Sequence, residues 1–222
     1  WSSIQKLQHL DLSSTLLSGT MPDSWQNMSA LKEVYLYDAK VSGTLPSSWS
    51  ALTQMTTFYL TKLSPAATTT KQNITGTLPN SWSKMINLQF LYLQNTFISG
   101  TLPNSWGEWL GPSVLILSNT EISGTLPNQY SKWKFYISQL HLTKSRVSGT
   151  LPKSWSVFHQ LEYLYLENTP VTGTLPPEWS TLTNLKDLRL SSTLISGNLP
   201  PQWESMTSID TARLHNMQLS GK

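Results

Sequence analysis

The sequence predicts an α/β solenoid: a right-handed horseshoe of stacked coils, with short parallel strands on the concave face and 3₁₀ or extended segments on the convex face. Three observations carry that expectation. A glycine recurs at Gly19, Gly43, Gly76, Gly100, Gly124, Gly149, Gly173, Gly197 and Gly221, at successive intervals of 24, 33, 24, 24, 25, 24, 24 and 24 residues. A fixed period in this range marks stacked supersecondary units. Each glycine is preceded by apolar residues, mostly leucines, spaced L-x-x-L-x-L, and in most coils followed by T-L-P-x-x-W or a close variant.

Taken in chain order, each coil begins with a strand. In Leu7-Leu10-Leu12, Leu88-Leu91-Leu93 and Leu185-Leu188-Leu190 the last two leucines alternate with other residues, as a strand with one buried face requires. A threonine follows (Thr15, Thr96, Thr120, Thr169, Thr193), then an aliphatic residue such as Leu17, Ile98 or Ile195. The S-G-T-L-P that comes next joins a glycine, which tolerates positive φ, to a proline, which fixes φ and lacks a donor. The strand therefore stops, the chain turns, and a non-ladder segment returns it to the next coil. Leu45, Leu78, Leu102, Leu126, Leu151, Leu175 and Leu199 are expected to fill one layer. Trp25, Trp49, Trp82, Trp106, Trp155, Trp179 and Trp203 are expected to form a second, convex layer, with Tyr130 substituting once. They read as a packed ladder rather than a ligand platform, each indole N–H needing an acceptor.

This is the leucine-rich-repeat pattern. One unit cannot bury its leucines alone, whereas a stack can. Residues 1–222 are expected to form one domain of about nine 24-residue coils. The long interval holds an insertion at 61–73, TKLSPAATTTKQN, which adds nine residues and predicts a projecting loop. It reads as a contact loop overhanging the concave face, as an O-glycosylated knob, or as tolerated surface variation. One extra residue near Lys134–Tyr136 predicts a local bulge. The chain starts at Trp1 and stops at Lys222 inside the pattern, and reads as a fragment lacking both caps.

Composition narrows the function classes. Apolar residues make up 38% of the chain and charged residues only 12%, which suits an extracellular surface. The net charge of +3 is spread without a basic run, so nucleic acid is not an expected partner. No apolar run reaches the roughly 18–20 residues of a membrane span. With no cysteine, neither disulfides nor Cys-ligated metals are expected. His9, His141, His159 and His215 form no close metal-binding pair, and no metal site is predicted. Glu33 with Asp38, and Glu162 with Glu167, share coils but face no second acid across a cleft. No G-x-S-x-G, G-x-G-x-x-G or P-loop occurs. The chain is therefore expected to be non-catalytic and to hold no cofactor. Thr20, Thr44, Thr77, Thr101, Thr125, Thr150 and Thr174 form a row of the kind that binds ice on flat β-solenoids. Following the turn glycine, these hydroxyls are expected instead to serve backbone groups between coils.

The positions around the strand leucines should line the concave face. They place Tyr35, Tyr59, Phe90, Tyr92, His141, Tyr163, Tyr165 and Arg189 there as candidate ligand contacts, with Val114 and Ile116 as an apolar centre. Aligned exposed aromatics are the residue type that dominates interface hot spots. The competing reading is that aromatics simply suit strand positions and support one another across the ladder. Two N-x-[ST] sequons make Asn27 and Asn73 candidate glycan acceptors.

Two details go further. Thr stands where the usual motif has Asn, and the element after it is S-G-T-L-P-x-x-W-S. Together these resemble the repeats of the promastigote surface antigen and proteophosphoglycan families of Leishmania and related kinetoplastids, over essentially the whole chain. The resemblance implies a cell-surface or secreted glycoprotein, membrane-anchored only through a segment outside this sequence. It implies a protein partner from the host, a receptor or a complement-related protein. The leading expectation is a protein-binding module. The alternatives are an antigenic surface coat without a defined ligand, and a plant-type receptor ectodomain that binds peptide or hormone.

Overall fold

The computed structural model describes residues 3–62 and 71–221. Nine three-residue strands form one parallel sheet in chain order: His9–Asp11, Glu33–Tyr35, Thr57–Tyr59, Phe90–Tyr92, Val114–Ile116, Gln139–His141, Tyr163–Tyr165, Asp187–Arg189 and Thr211–Arg213. They define coils 1 to 9 below. The fold is the leucine-rich-repeat solenoid that the period predicted. Register is strict: Leu10, Val34, Phe58, Leu91, Leu115, Leu140, Leu164, Leu188 and Ala212 pair in sequence. All but Ala212 are buried, so the residues on either side of them turn away from the core.

Three residues past the strand, eight of the nine coils carry a residue with left-handed backbone: Ser14, Asp38, Asn95, Asn119, Lys144, Asn168, Ser192 and Asn216, with φ of 54–58°. Asn is favoured there because its short polar side chain tolerates this region. The residue after it explains why threonine replaces asparagine in the motif. Thr96, Thr120, Thr169 and Thr193 are buried, and each hydroxyl donates to the carbonyl three residues back, at 2.6–2.8 Å. The hydroxyl closes the turn within its own coil.

The S-G-T segments form a second parallel ladder behind the first, in groups of five and three strands joined by single bridges at Thr77–Ser99 and Thr101–Ser123. Here one expectation is corrected. The hydroxyls that bond between coils belong to the residue before the glycine: Ser99 to the Gly76 carbonyl and Thr172 to the Gly149 carbonyl, both at 3.1 Å. The threonine after the glycine is exposed and contributes its methyl group. A Cβ built on Gly100 (φ 76°) would lie 2.8 Å from Thr77 Cγ2. The glycine thus serves both the turn and the close approach of the neighbouring coil.

On the convex side, each of coils 1 to 8 carries a 3₁₀ turn opened by a proline with φ of −64 to −73°. In six of these turns the tryptophan solves its N–H requirement in the same way. Trp49, Trp82, Trp106, Trp155, Trp179 and Trp203 each donate the indole N–H to the carbonyl of the proline one coil earlier, at 2.9–3.0 Å. Tyr130 is buried as predicted, stacked 3.8 Å from Trp133, with its hydroxyl unpartnered among the described residues. The extra residue beyond it leaves Phe135 and Tyr136 exposed.

Leu199 does not join its layer. It is 56% exposed, and Trp203 is only partly buried, because no later T-L-P segment covers them among the described residues. The insertion expected at 61–73 lies largely at 63–70, outside the described residues. Its two feet are fixed. Thr61 is buried and donates to the Gln94 carbonyl at 2.8 Å. Gln72 donates to the Ala39 and Val41 carbonyls at 2.6 and 2.9 Å.

Candidate functional site

Strict register stacks like positions at the parallel-strand spacing of about 4.8 Å. The middle concave column reads Asp11, Tyr35, Tyr59, Tyr92, Ile116, His141, Tyr165, Arg189 and Arg213. All eight predicted contact residues stand on this one face and are half-buried. They do not form a single stripe. They gather into two clusters, parted where Ile116 interrupts the rings. Val114 was expected at the exposed apolar centre but is 4% exposed, leaving Ile116 and Phe90 as the accessible apolar residues there.

The first cluster spans coils 2 to 4. Tyr59 packs against Tyr92 at 4.4 Å and Tyr35 at 6.4 Å, and Tyr37 meets it edge-on at 5.8 Å and 82°. The Glu33 carboxylate accepts from the Tyr35 hydroxyl at 3.2 Å and contacts His9 Nδ1 at 2.9 Å. The hydrogen bond from His9 holds the Glu33 carboxyl below its usual range against the opposing effect of desolvation. Burial raises the hydroxyl pKa of Tyr35, Tyr59 and Tyr92, so all three are neutral at physiological pH. Phe90 belongs to the coil-4 strand beside Tyr92.

The second cluster spans coils 6 to 8. His141 stacks on Tyr165 at 4.1 Å and 19°, and the Arg189 guanidinium lies 4.2 Å from the same ring. Tyr163 meets Tyr165 edge-on at 6.4 Å. Asp187 ties the group together: its carboxylate accepts from the Tyr165 hydroxyl at 3.0 Å and from Arg189 Nη2 at 2.7 Å. Burial pushes the Asp187 carboxyl up, but the bonds from Arg189 and Tyr165 outweigh it and hold it below its ordinary value. The Tyr165 hydroxyl is pushed up to about 12, first by burial and then by Asp187. Burial, reinforced by the Arg189 charge, lowers His141 to about 4, so its ring is neutral. Arg189 is therefore a compensated charge rather than a free one.

Sequence reasoning passed over Tyr37 and Asp187 as contacts. The signal for Asp187 was D-L-R, two residues apart on one strand face. The signal for Tyr37 was Y-L-Y, which repeats the outward position one step along. The candidate glycan acceptors lie elsewhere: Asn73 is exposed beside the second ladder, and Asn27 is exposed at the end of the first 3₁₀ turn. Lys71, at the insertion's second foot, pairs with Glu121 at 2.6 Å and lies 5.3 Å from the Phe97 ring. Among the described residues, no group of three or more His, Asp or Glu side chains is placed to hold a metal ion. No helix among them is long and apolar enough to cross a membrane.

Comparison with known proteins agrees with this architecture. The Leucine Rich Repeat family profile matches residues 6–28, 87–109 and 160–182. No curated protein matches the chain in sequence. Among solved structures, it is similar to the ectodomain of the membrane receptor kinase GASSHO1/SCHENGEN3 of Arabidopsis thaliana, crystallised with CASPARIAN STRIP INTEGRITY FACTOR 2. That similarity has 26% identity and a TM-score of 0.89, over 97% of this chain and 25% of that one. It is also similar to the plant peptide hormone receptor RGFR1 in complex with RGF2, at 23% identity and a TM-score of 0.91, over 99% of this chain and 34% of that one. The Arabidopsis receptor kinase HAESA, crystallised with the peptide hormone IDA and the co-receptor SERK1, gives 24% identity and a TM-score of 0.87, over 97% and 34%. The chain spans a quarter to a third of the length of these relatives. What it shares with them is the leucine-rich-repeat solenoid of plant receptor ectodomains.

Proposed function

We propose that this chain is an extracellular, non-catalytic binding domain that recognises a protein or peptide on its concave face. The observation that carries the reading is the pair of aromatic clusters, Tyr35–Tyr59–Tyr92 and His141–Tyr165–Arg189, built on one sheet face and half-exposed. Rigid aromatic rings give contact area at small entropic cost and are enriched among hot spots. The peptide and protein complexes of the similar plant ectodomains support the same use of the fold.

The finer reading follows the repeat signature. Thr15, Thr96, Thr120, Thr169 and Thr193 with T-L-P-x-x-W favour the surface of a kinetoplastid parasite, an anchor outside this sequence, and a host receptor or complement-related partner. Asn73 and Asn27 are the proposed glycan acceptors. An antigenic coat without a defined ligand is the competing use, favoured by the exposed Asn73 sequon.

The test is affinity capture from host serum and cell extract, comparing the wild-type chain with the triple variant Tyr92→Ala, Tyr163→Ala, Tyr165→Ala. A partner retained by wild type and lost by the folded variant supports the reading. Equal retention by both, or no specific partner, overturns it in favour of the coat.

A further inference from the structure

The two concave clusters differ in one respect. In the second, a tyrosine hydroxyl donates to a carboxylate and a guanidinium covers the ring: Tyr165 to Asp187 at 3.0 Å, with Arg189 at 4.2 Å. In the first, Tyr35 donates to Glu33 at 3.2 Å, and Tyr37, Tyr59 and Tyr92 supply further rings. Among the described residues, the cation–ring contacts are Lys71 with Phe97, Lys134 with Phe135 and Arg189 with Tyr165. None involves the rings of the first cluster.

We propose that the first cluster is the subsite for an arginine side chain of the bound polypeptide, which would stand on Tyr35, Tyr37 and Tyr59 as Arg189 stands on Tyr165. The inference rests on the binding function proposed above and adds the chemistry of the ligand. The charge around the rings fits. Asp11 and Glu33 act on Tyr35, and Asp38 acts on Tyr59. Glu33 is kept ionised by His9 and, to a smaller extent, by Lys32. Tyr35, Tyr37 and Tyr59 are half-buried, so part of each ring is open to solvent, and Tyr59 is held in place by Tyr92 at 4.4 Å. A cation within about 6 Å of such a face is attracted by the ring quadrupole, and a planar guanidinium also stacks and forms paired bonds to carboxylate. The opposite end of the face carries Arg213 and His215. A polypeptide with its basic residue over coils 2 and 3 therefore has a preferred direction along the solenoid.

The probe is N-acetyl-arginine methylamide, titrated against the chain with carbon-13 in its tyrosine rings and followed by NMR. The chain has eight tyrosines, of which the buried Tyr130 is an internal reference. The Tyr35, Tyr37 and Tyr59 resonances are expected to move saturably. The neutral isostere N-acetyl-citrulline methylamide is expected to bind more weakly by about three- to tenfold. Glu33→Gln and Tyr37→Ala, each checked by circular dichroism, should weaken arginine binding to a similar degree. Equal responses to arginine and citrulline, no response, or shifts confined to Tyr163 and Tyr165 would overturn the assignment. A captured partner that is lost with the triple variant but unaffected by Glu33→Gln and Tyr37→Ala would remove this subsite and leave the binding function standing. An arginine response without any captured partner would overturn the binding function and, with it, the assignment of this subsite to a bound polypeptide.

Discussion

The Trp82 indole N–H donates to the Pro46 carbonyl one coil earlier, at 2.9 Å, in a site where Trp82 has no exposed surface. The same carbonyl accepts the Trp49 backbone N–H of its own coil, at 3.2 Å. One proline oxygen thus binds two coils together, which gives the T-L-P-x-x-W spacing a physical reason. Trp82→Phe keeps most of the packing and loses the indole bond. It is expected to cost about 1–3 kcal/mol, and Trp82→Ala about 3–5 kcal/mol, in chemical denaturation. Trp203→Phe, at a partly buried site, should cost less than Trp82→Phe.

The threonine that closes each turn gives a second comparison. Thr96→Val is nearly isosteric but leaves the buried Leu93 carbonyl without its 2.8 Å donor. A loss of about 1–2 kcal/mol is expected. Thr15 makes the same bond to Leu12 but is exposed, so water can replace it and Thr15→Val should be near neutral. Equal losses at the two sites would show that burial is not what gives the threonine its effect.

The turn glycines separate backbone strain from crowding. Gly19 and Gly100 both have positive φ, 98° and 76°. A Cβ on Gly19 meets nothing within 4 Å, whereas on Gly100 it lies 2.8 Å from Thr77 Cγ2. Gly19→Ala reports strain alone, about 1 kcal/mol. Gly100→Ala should cost more, and adding Thr77→Ser, which removes the crowded methyl group, should recover part of the difference. A double-mutant cycle on thermal melting measures that coupling.

The buried imidazole makes stability depend on pH. His141 is lowered from 6.5 to about 4 by burial. Between those values the unfolded chain takes up a proton that the folded chain refuses, so this contribution is full at pH 7 and declines as pH falls from about 6.5 to 4. Because the ring is partly open to solvent, the loss between pH 7 and pH 5 should be no more than about 2 kcal/mol. His141→Phe keeps a ring against Tyr165 and should flatten the profile over that window. An unchanged slope in denaturation curves at pH 5, 6 and 7 would mean that other groups cause the dependence.

The coil, its strand and the burial of Leu91, Leu115 and Leu164 were legible because a period of 24 residues forces like residues into like surroundings. The tryptophan layer was legible for the same reason. Pairwise relations across coils were less accessible. Nothing in the string assigns the inter-coil bond to Ser99 rather than Thr101, since both are hydroxyl residues beside Gly100 and only backbone direction separates them. The concave stripe was read from position alone, and position does not reveal that Ile116 divides it or that Val114 is covered. Charge compensation was also hidden: Arg189 looked available until Asp187 was seen to hold it at 2.7 Å.

The indole bonds all run the same way, each reaching back toward the amino-terminal neighbour. Shortening the protein is therefore not symmetrical. Trimming from the carboxyl end takes donors away with their own coils and strands no N–H. Trimming from the amino end strips Trp49 of Pro22 and leaves a large aromatic dipole facing a newly bared edge. Deletion series begun from opposite termini should consequently diverge in solubility before they diverge in helical or sheet content.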